Sequence, residues 1–338
     1  MTDRTATLVV EREFGAAAAR SANRYPADSE VQDHLEQRFG RLYARQRLGI
    51  EHDHEVLMAA RSRRRVRLRR WYRHPALVRR TLKLTGLYWW AARNAGRIQI
   101  RRNPVCLSAL PAAFDGFTIL QVSDLHVDIS PLAMRRLVEL LPRLDYDLCV
   151  LTGDYRGKTY GPCAATIEGM ARIRAHITAP VYAVLGNHDS LRMVPAFEAM
   201  GIRMLVNEAL PLVREGQRIY LAGIDDAHFY RVDNIEKAAS EIPHGGFSIL
   251  LSHTPEIYRQ AAHAGFELLL SGHTHGGQIC LPGAIPLTLD AALPRRMGAG
   301  SWRYGRMFGY TSVGVGSTVV PARINCPPEI TLHELRSR

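Results

Sequence analysis

The sequence predicts an α/β fold with parallel strands, and two observations support this prediction. Short apolar runs rich in β-branched residues recur between Phe117 and Leu335, and stretches with helical spacing separate the early ones. The first run lies in FTILQVSDLHVD (Phe117–Asp128) and has the composition of a strand buried on both faces. Strands that alternate with helices pair in parallel through right-handed crossovers.

The remaining elements can be placed in chain order. Strand alternates with helix first, in the predicted helices Pro131–Leu141 and Ala164–His176 and the predicted strands Asp145–Leu151 and Pro180–Leu185. The later half is rich in strands, predicted at Ile202–Val206, Leu212–Val213, Ile219–Ile224, Phe247–Leu251, Phe266–Leu270, Tyr310–Val315 and Glu329–Leu335, with one helix at Asn234–Glu241.

Positive charge is concentrated in the N-terminal third of the 338 residues. Residues 1–102 hold 23 Lys and Arg against 10 Asp and Glu, a net +13, whereas residues 103–338 hold 21 against 22, a net −1. From Val56 to Phe114 there are 15 basic residues and no acidic one. The charge of +12 therefore belongs to the N-terminal segment and carries no information about the rest of the chain.

The N-terminal segment shows less regular patterning. We expect residues 1–33 to be loosely ordered and His34–Leu48 to form one helix that ends at Gly49. Asn103–Asp115, which contains two prolines, is predicted to be a connector. The predicted division is a basic, partly helical extension at residues 1–110 and an α/β domain at residues 111–338.

Three interpretations of the basic segment stay open. The apolar run Leu82–Ala92 is shorter than the roughly 20 residues that span a bilayer. Trp71, Trp89 and Trp90 lie among basic residues, which favours a helix on the surface of an anionic membrane. The alternatives are a basic helix packed on the catalytic domain, and an arm that grips nucleic acid through its phosphates.

The cysteines indicate the compartment. There are five, with no CxxC spacing, which is typical of reduced thiols in the cytoplasm. No signal peptide is visible at Met1. Together with the basic segment, this predicts a cytoplasmic protein on the inner face of the membrane.

Metal-binding side chains follow five of the predicted strands. They are Asp124, His126, Asp154, Asn187, His188, His253, His273 and His275. Asp124 and His126 are two apart in an extended chain, so their side chains leave the strand in the same direction. The carboxyl ends of strands are where α/β sheets bind ligands. Gly153, Gly186 and Gly272 let the backbone turn sharply there.

The types of side chain indicate the class of metal. Imidazole and carboxylate ligands without thiolate favour Mn²⁺, Fe or Zn²⁺ over Ca²⁺. Asp154 alone could cap a helix, and a single histidine is more often structural. A metal site is predicted because such side chains recur after several buried strands. Two ions that share Asp154 would use seven of them as ligands. The other histidines considered are predicted to be surface residues: His34, His52, His54, His74, His176, His244, His263 and His333.

These blocks resemble those of the calcineurin-like metallophosphoesterases. The matching residues are Asp124-x-His126, Gly153-Asp154, Gly186-Asn187-His188-Asp189, His253 and Gly272-His273-Thr274-His275. The resemblance covers about Phe117–Leu335 and implies a four-layer αββα sandwich with a dinuclear centre. It assigns one metal to Asp124, His126, Asp154 and His275, and the other to Asp154, Asn187, His253 and His273. It makes Asp154 and His188 the catalytic residues, His188 as general acid or substrate-positioning imidazole.

Two further segments are similar to one bacterial branch of that family. They are SGHTHGGQICLPG (Ser271–Gly283) and GYTSVGVGSTVVPARINCPPEITLHEL (Gly309–Leu335). The branch contains the YkuE- and YaeI-type phosphoesterases and the chlamydial-type UDP-2,3-diacylglucosamine pyrophosphatase, and its members commonly begin with a membrane-associating segment. This chain departs from the common Gly-Asp-x-x-Asp pattern, because Gly157 occupies the position of the second acid.

The function predicted from the sequence is hydrolysis of a phosphodiester or pyrophosphate, with a lipid-linked substrate as one class. A hydroxide bridging two divalent ions, Mn²⁺ in the first place, would attack phosphorus. Arg323 is predicted as a second substrate contact beside His188. The alternatives are a nuclease or nucleotide phosphodiesterase with a basic arm, and a non-catalytic metal-binding scaffold. Because no predicted ligand precedes Asp124, we expect hydrolysis of a small diester to survive removal of residues 1–102.

Overall fold

A computed structural model of the chain describes residues 28–62 and 75–337. Two six-stranded sheets stack face to face, and helices cover the outer face of each. The predicted α/β class and the four-layer αββα arrangement are therefore confirmed.

The elements of the described residues are as follows. The helices are α1 (Asp28–Phe39), α2 (Arg41–Ser62), α3 (Pro75–Leu84), α4 (Tyr88–Asn94), α5 (Pro131–Leu140), α6 (Ala164–Arg174), α7 (Val194–Ala199), α8 (Ile235–Ala239) and α9 (Tyr258–Ala264). The strands are β1 (Gln99–Leu107), β2 (Thr118–Val122), β3 (Leu148–Thr152), β4 (Val181–Val184), β5 (Ile202–Met204), β6 (Glu208–Arg214), β7 (Gln217–Gly223), β8 (Ser248–Leu251), β9 (Leu268–Ser271), β10 (Cys280–Leu281), β11 (Ile285–Pro286), β12 (Gly300–Tyr304), β13 (Met307–Thr311) and β14 (Glu329–Ser337).

Parallel pairing dominates the centre of both large sheets. The first sheet has the order β1-β14-β2-β3-β4-β5, with β2 to β5 mutually parallel. The second has the order β12-β13-β9-β8-β7-β6, with β7, β8, β9 and β13 parallel. The carboxyl ends of β2, β3 and β4 therefore lie at one edge of their sheet, as do those of β8 and β9.

Neighbouring residues of the central strands enter different cores. Ile119 lies between the two sheets, in the same cluster as Leu268. Leu120 points the other way and packs in the layer that contains Leu137 of α5. Because successive side chains point to opposite faces, a strand covered on both sides needs an unbroken apolar run. Unbroken apolar runs of this kind are the feature of the sequence that predicted these strands.

The N-terminal helices differ from the prediction. Gly40, with φ of 87°, separates α1 from α2, whereas Gly49 lies inside α2 and does not end it. The single helix predicted at His34–Leu48 is therefore wrong. Residues 28–33 belong to α1 and not to a loosely ordered segment, and residues 1–27 lie outside the described residues.

The predicted connector Asn103–Asp115 is also wrong in its first part. β1 pairs in parallel with β14 along its whole length, from Gln99 opposite Glu329 to Leu107 opposite Ser337. Pro104 is tolerated because β1 is an edge strand. The sheet thus begins before the boundary predicted at residue 111.

The basic segment is described only in part. Its residues 63–74, including Trp71 and His74, lie outside the described residues. The apolar run Leu82–Ala92 is divided between α3 and α4 by a turn at Gly86, whose φ is 73°. Within residues 28–62 and 75–337, no helix has both the length and the apolar character needed to span a bilayer.

Candidate metal centre

The five strand ends converge on one buried place between the sheets. Two groups of side chains offer ligand atoms within 4.8 Å of one another. One group is Asp124, His126, Asp154 and His275, and the other is Asp154, His253 and His273. Asn187 joins the second group, with its Oδ1 3.0 Å from Nε2 of His253. All seven predicted ligands are thus brought together, and both groups share Asp154.

Three imidazoles surround the Asp154 carboxylate. Its Oδ2 lies 3.3 Å from Nε2 of His253, 3.7 Å from Nε2 of His126 and 4.0 Å from Nε2 of His188. The His188 side chain is 22% exposed, in contrast to the buried ligands around it. His188 is therefore the ring that a substrate can reach from outside.

The hydrogen bonds of the ligand rings fit a bound cation. Nδ1 of His126 lies 2.8 Å from the carbonyl oxygen of Arg156, and Nε2 of His273 lies 2.8 Å from that of Asp290. These nitrogens donate, so the inner nitrogen of each neutral ring carries a lone pair. The inner nitrogen of His126 faces Nε2 of His275 at 3.0 Å. Imidazole nitrogens that converge beside two carboxylates are the donor set of a divalent metal site.

Burial sets the protonation of these groups. It lowers the pKa of His126 to about 4 and that of His273 to about 3, which keeps both rings neutral. It also raises the pKa of Asp124 to about 7, with a further contribution from the Asp154 carboxylate. Burial by itself would lower the pKa of His253, but the Asp154 carboxylate raises it, and the resulting pKa is about 10. A metal ion must therefore displace protons to bind, which makes binding depend on pH.

Five of the seven predicted ligands have a left-handed backbone. Their φ values are 51° at Asp124, 40° at His126, 58° at Asp154, 70° at His273 and 50° at His275. Residues other than glycine adopt this conformation rarely, at a cost of about 1–3 kcal/mol each. The surrounding structure holds this strain, and it turns side chains from several strands toward one point.

The neighbouring glycines act mainly through their missing side chains. A Cβ atom on Gly186 would lie 2.3 Å from Oδ1 of Asp154, and one on Gly272 would lie 2.3 Å from Oδ2 of Asp124. Neither residue has a positive φ, whereas Gly153 has a φ of 86°. The prediction of sharp turns thus fits Gly153, but the other two are required for close approach to a ligand.

Asp189 supports the centre without being part of it. Its Oδ2 accepts hydrogen bonds from the backbone N–H groups of Asp154 at 2.7 Å and Gly186 at 2.8 Å, and its Oδ1 accepts one from Tyr155 at 2.9 Å. The carboxylate is fully buried. Asp189 therefore joins the loop after β4 to the loop that carries Asp154. Asp189 belongs to the block Gly186-Asn187-His188-Asp189, but the sequence pattern assigned it no function.

A buried arginine from α2 reaches the same region. Arg47 is fully buried and donates from Nε to Asp225 at 2.8 Å and from Nη1 to Glu51 at 2.7 Å. Its Nη2 lies 3.4 Å from the carbonyl oxygen of Asp189, and its guanidinium carbon lies 3.7 Å from the Tyr230 ring centroid. Nothing in the spacing of α2 distinguishes Arg47 from its exposed neighbours, so the sequence did not reveal it.

Arg323 lies in a different environment from the one predicted. It is fully buried, and Nη2 donates to the carbonyl oxygens of Val313 and Gly314 at 2.8 and 3.1 Å. The same nitrogen lies 3.3 Å from Nδ1 of His275. With its donors directed at carbonyl groups and a ligand ring, Arg323 supports His275 and is not placed to hold a phosphate.

Three histidines also differ from the sequence interpretation. His333, predicted at the surface, is fully buried, and His54 is half-buried with its ring stacked on that of Tyr230. His228, which the sequence did not single out, lies with its ring centroid 4.2 Å from that of His273. The position of His228 outside the strand-end blocks explains why the pattern missed it.

The fold and the buried aspartate–histidine centre define a metal-dependent phosphoesterase. Residues 117–277 match the sequence model of the calcineurin-like phosphoesterase family. The chain is 30% identical over 228 residues to the uncharacterized metallophosphoesterase YkoQ of Bacillus subtilis, covering 64% of this chain and 83% of that protein. It is 31% identical over 250 residues to YkuE of the same organism, with 71% and 86% covered. It is 28% identical over 235 residues to phosphodiesterase YaeI of Escherichia coli, with 65% and 82% covered.

The chain belongs to the calcineurin-like metallophosphoesterases. It is accordingly a hydrolase that acts on phosphate ester bonds. The predicted superfamily and class of enzyme are confirmed.

Proposed function

We propose that the enzyme hydrolyses phosphodiesters or pyrophosphates with two divalent transition-metal ions. The observation that supports this most is the position of Asp154 in both groups of ligands. One ion is held by Asp124, His126, Asp154 and His275, and the other by Asp154, Asn187, His253 and His273. The imidazole and carboxylate donors suit Mn²⁺ best, with Fe and Zn²⁺ as the alternatives.

The chain's own residues orient the reaction. Two bound ions supply a deprotonated water and neutralise charge on the phosphate oxygens. Asp154 would be a ligand of both ions, and its Oδ1 accepts the backbone N–H of His188 at 2.9 Å. Nε2 of His188 carries the proton that faces the substrate, where it stabilises or protonates the leaving oxygen.

The surface of α3 and α4 supports a lipid-linked substrate. Leu84 and Trp89 are 79% and 77% exposed, and Trp90 is 46% exposed. Arg79, Arg80 and Lys83 lie along the same helix pair. Exposed indole rings among basic side chains suit the headgroup level of an anionic membrane, where each basic residue contributes about 1 kcal/mol. In this proposal the enzyme is cytoplasmic and works at the inner face of the membrane.

This surface is joined to the metal centre. Ala91 of α4 is buried, and its carbonyl oxygen accepts the backbone N–H of Arg323 at 2.9 Å. Val78 and Leu82 of α3 pack in a cluster with Ala322. A membrane bound to α3 and α4 would thus be joined to the loop that supports His275.

A panel of substrates tests the reaction. Metal-free protein is assayed with Mn²⁺, Fe²⁺ or Zn²⁺ on bis-p-nitrophenyl phosphate, a UDP-linked lipid in anionic vesicles, and single-stranded DNA. We expect the diester to be cleaved and the lipid to be the better substrate. Cleavage confined to DNA, with strong salt dependence, would favour the nuclease. No cleavage with any metal would favour the non-catalytic scaffold.

Replacing His188 tests its role. His188→Ala should keep both metal ions and lower kcat by about 10²–10⁴, the range of general acid–base groups. Loss of metal would instead make His188 a ligand. Unchanged kcat with unchanged metal content would remove it from the mechanism.

Vesicle sedimentation tests the membrane surface. Trp89→Ser with Trp90→Ser should reduce binding to anionic vesicles at low salt, while cleavage of the soluble diester is unchanged. Leu42→Ser is the matched control, because Leu42 is 81% exposed and belongs to a different helix, α2. If the wild-type protein stays in the supernatant at low salt, the membrane assignment is wrong.

A further inference from the structure

A third buried arginine joins the loop after Asp154 to the residue that faces the substrate. Arg156 is 4% exposed. Its Nε donates to the carbonyl oxygen of His188, its Nη2 donates to that of Thr159, and its Nη1 donates to that of Gly161 at 3.0 Å. One rigid guanidinium therefore fixes the backbone of Thr159 relative to that of His188.

The side chain of Thr159 completes this arrangement. Its Oγ1 lies 3.0 Å from Nδ1 of His188, the ring nitrogen that points away from the metal centre. The backbone N–H of His188 donates to Asp154. His188 is thus held by its N–H, its carbonyl oxygen and one ring nitrogen, and only Nε2 is left to face the substrate.

Gly157 has no side chain that could bond to the His188 ring as Thr159 does. Gly157 stands where the sequence departs from the family pattern, and a Cβ there would lie 2.3 Å from Cδ1 of Ile129. Its N–H donates to Oδ1 of Asp128 at 2.6 Å. Glycine lets the loop pack tightly against Ile129, and the chain then brings the Thr159 hydroxyl to the ring.

We propose that Thr159 is a positioning residue that aims Nε2–H of His188 at the substrate phosphate. This inference rests on the proposed role of His188. A hydroxyl both donates and accepts. The Thr159 hydroxyl can accept a hydrogen bond from Nδ1–H, and it can donate one to Nδ1 when that nitrogen carries no hydrogen. Transfer of the Nε2 proton to the leaving oxygen leaves Nδ1–H bonded to Thr159, so the contact persists through the step.

The experiment compares variants that differ in the hydroxyl. Thr159→Val keeps the shape and removes the hydroxyl, and it should lower kcat by about 10- to 100-fold, the usual effect of losing a residue that orients an active-site group. Metal content should change little, because Thr159 is not one of the proposed ligands. Thr159→Ser restores a hydroxyl and should recover kcat to within a few-fold of wild type. Thr159→Ala serves the same purpose as Thr159→Val if that variant folds poorly.

A double-mutant cycle separates positioning from a general structural effect. In a His188→Ala background, Thr159→Val should have no further effect on kcat. A second readout needs no turnover: Thr159→Val should weaken binding of inorganic phosphate to the metal-loaded protein, and this effect too should vanish without His188.

The outcomes distinguish this inference from the proposed function. If His188→Ala lowers kcat but Thr159→Val does not, the positioning role is wrong and the function stands. An equal effect of Thr159→Val with and without His188 also overturns it. If His188→Ala changes neither kcat nor phosphate binding, the role of His188 and that of Thr159 fail together.

Discussion

Nε of Arg47 lies 2.8 Å from Oδ2 of Asp225, and both side chains are buried. Arg47 comes from α2, outside residues 117–277, whereas Asp225 follows β7 of the second sheet. Glu51, on the same helix, accepts hydrogen bonds from Ser190 Oγ and the N–H of Leu191 at 2.6 and 2.8 Å. The helix thus holds loops of both sheets beside the metal centre.

We expect Arg47→Met to destabilise the protein strongly. Removing one partner of a buried ion pair leaves an uncompensated charge and costs about 3–5 kcal/mol. Denaturant unfolding of the metal-free protein measures this. Arg45→Met is the matched control, since Arg45 pairs with Glu36 at the surface, and its unfolding midpoint should not move. Equal midpoints for the two variants would contradict the role assigned to Arg47.

The same contacts change the expectation for truncation. Removing residues 1–102 takes away Arg47 and the first four residues of β1, and it uncovers apolar side chains that pack against Leu35 and Phe39. We now expect insoluble protein and not a soluble active domain, because a large apolar surface would be exposed. Soluble, active protein after this truncation would show that α1, α2 and β1 are dispensable.

Gly186→Ala should disrupt the centre while leaving the fold intact. The added Cβ would lie 2.3 Å from Oδ1 of Asp154 and 2.5 Å from its backbone nitrogen, so the shared ligand must move. Displacing a reacting group by about 1 Å costs about 10²-fold in rate. Metal content and kcat should both fall while circular dichroism is unchanged. In Gly49→Ala, the control in α2, the new Cβ meets nothing within 4 Å, and the variant should keep full activity.

His333 should make stability depend on pH. Its Nε2 donates to Oε1 of Gln121 at 2.9 Å, and its Nδ1 accepts from Asn103 at 2.9 Å, so the neutral ring fits its surroundings. Burial lowers the pKa of His333 to about 3. The unfolded chain takes up this proton below about pH 6.5 and the folded chain does not, so stability falls as pH decreases from 6.5 toward 3.

The measurement for His333 is the free energy of unfolding at pH 7 and pH 5. Between these values the wild type should lose about 2 kcal/mol more than His333→Gln, whose amide can donate and accept hydrogen bonds but gains no proton in this range. The other histidines are the same in both proteins and cancel in the comparison. Parallel pH profiles would show that His333 takes up its proton at the same pH in the folded and unfolded chains, which would contradict the lowered pKa.

The pattern of polar residues directly after buried strands predicted the residues of the centre. It did not predict the residues that support them, such as Arg47. Asp124 and His126 could be found because a buried strand must end before a ligand site, and apolar runs reveal such strands. The contact between Arg47 and Asp225 joins positions 178 residues apart, and no local pattern encodes it. The left-handed backbone of His273 is likewise not encoded locally, because residues other than glycine adopt a positive φ only uncommonly and no pattern in the sequence marks this one.

Gly40 and Gly49 show why the helix boundaries were less predictable. Both are glycines in a run of helical spacing, but only Gly40 adopts a positive φ. The bend there lets Leu35 and Phe39 enter the core, while Leu42 is 81% exposed. The choice between the two glycines depends on where the first sheet lies, which the local sequence does not contain.

Metal binding should stabilise the folded chain. Buried carboxylates and imidazole nitrogens converge at this centre, so an ion that binds only the folded state adds about 2.7 kcal/mol per site at 100 times its Kd. The unfolding temperature should therefore rise when Mn²⁺ is added after chelation. Asp154→Asn should show a much smaller rise, because both groups of ligands share that carboxylate.

The central claim is that two ions sharing Asp154 form the active centre. Its most direct test titrates Mn²⁺ into metal-free protein, with bound metal measured by elemental analysis and hydrolysis of bis-p-nitrophenyl phosphate measured on the same samples. We expect activity to rise to its maximum as occupancy reaches two ions per chain, and Asp154→Ala to lose both activity and bound metal. Full activity at one ion per chain, or with none, would contradict it.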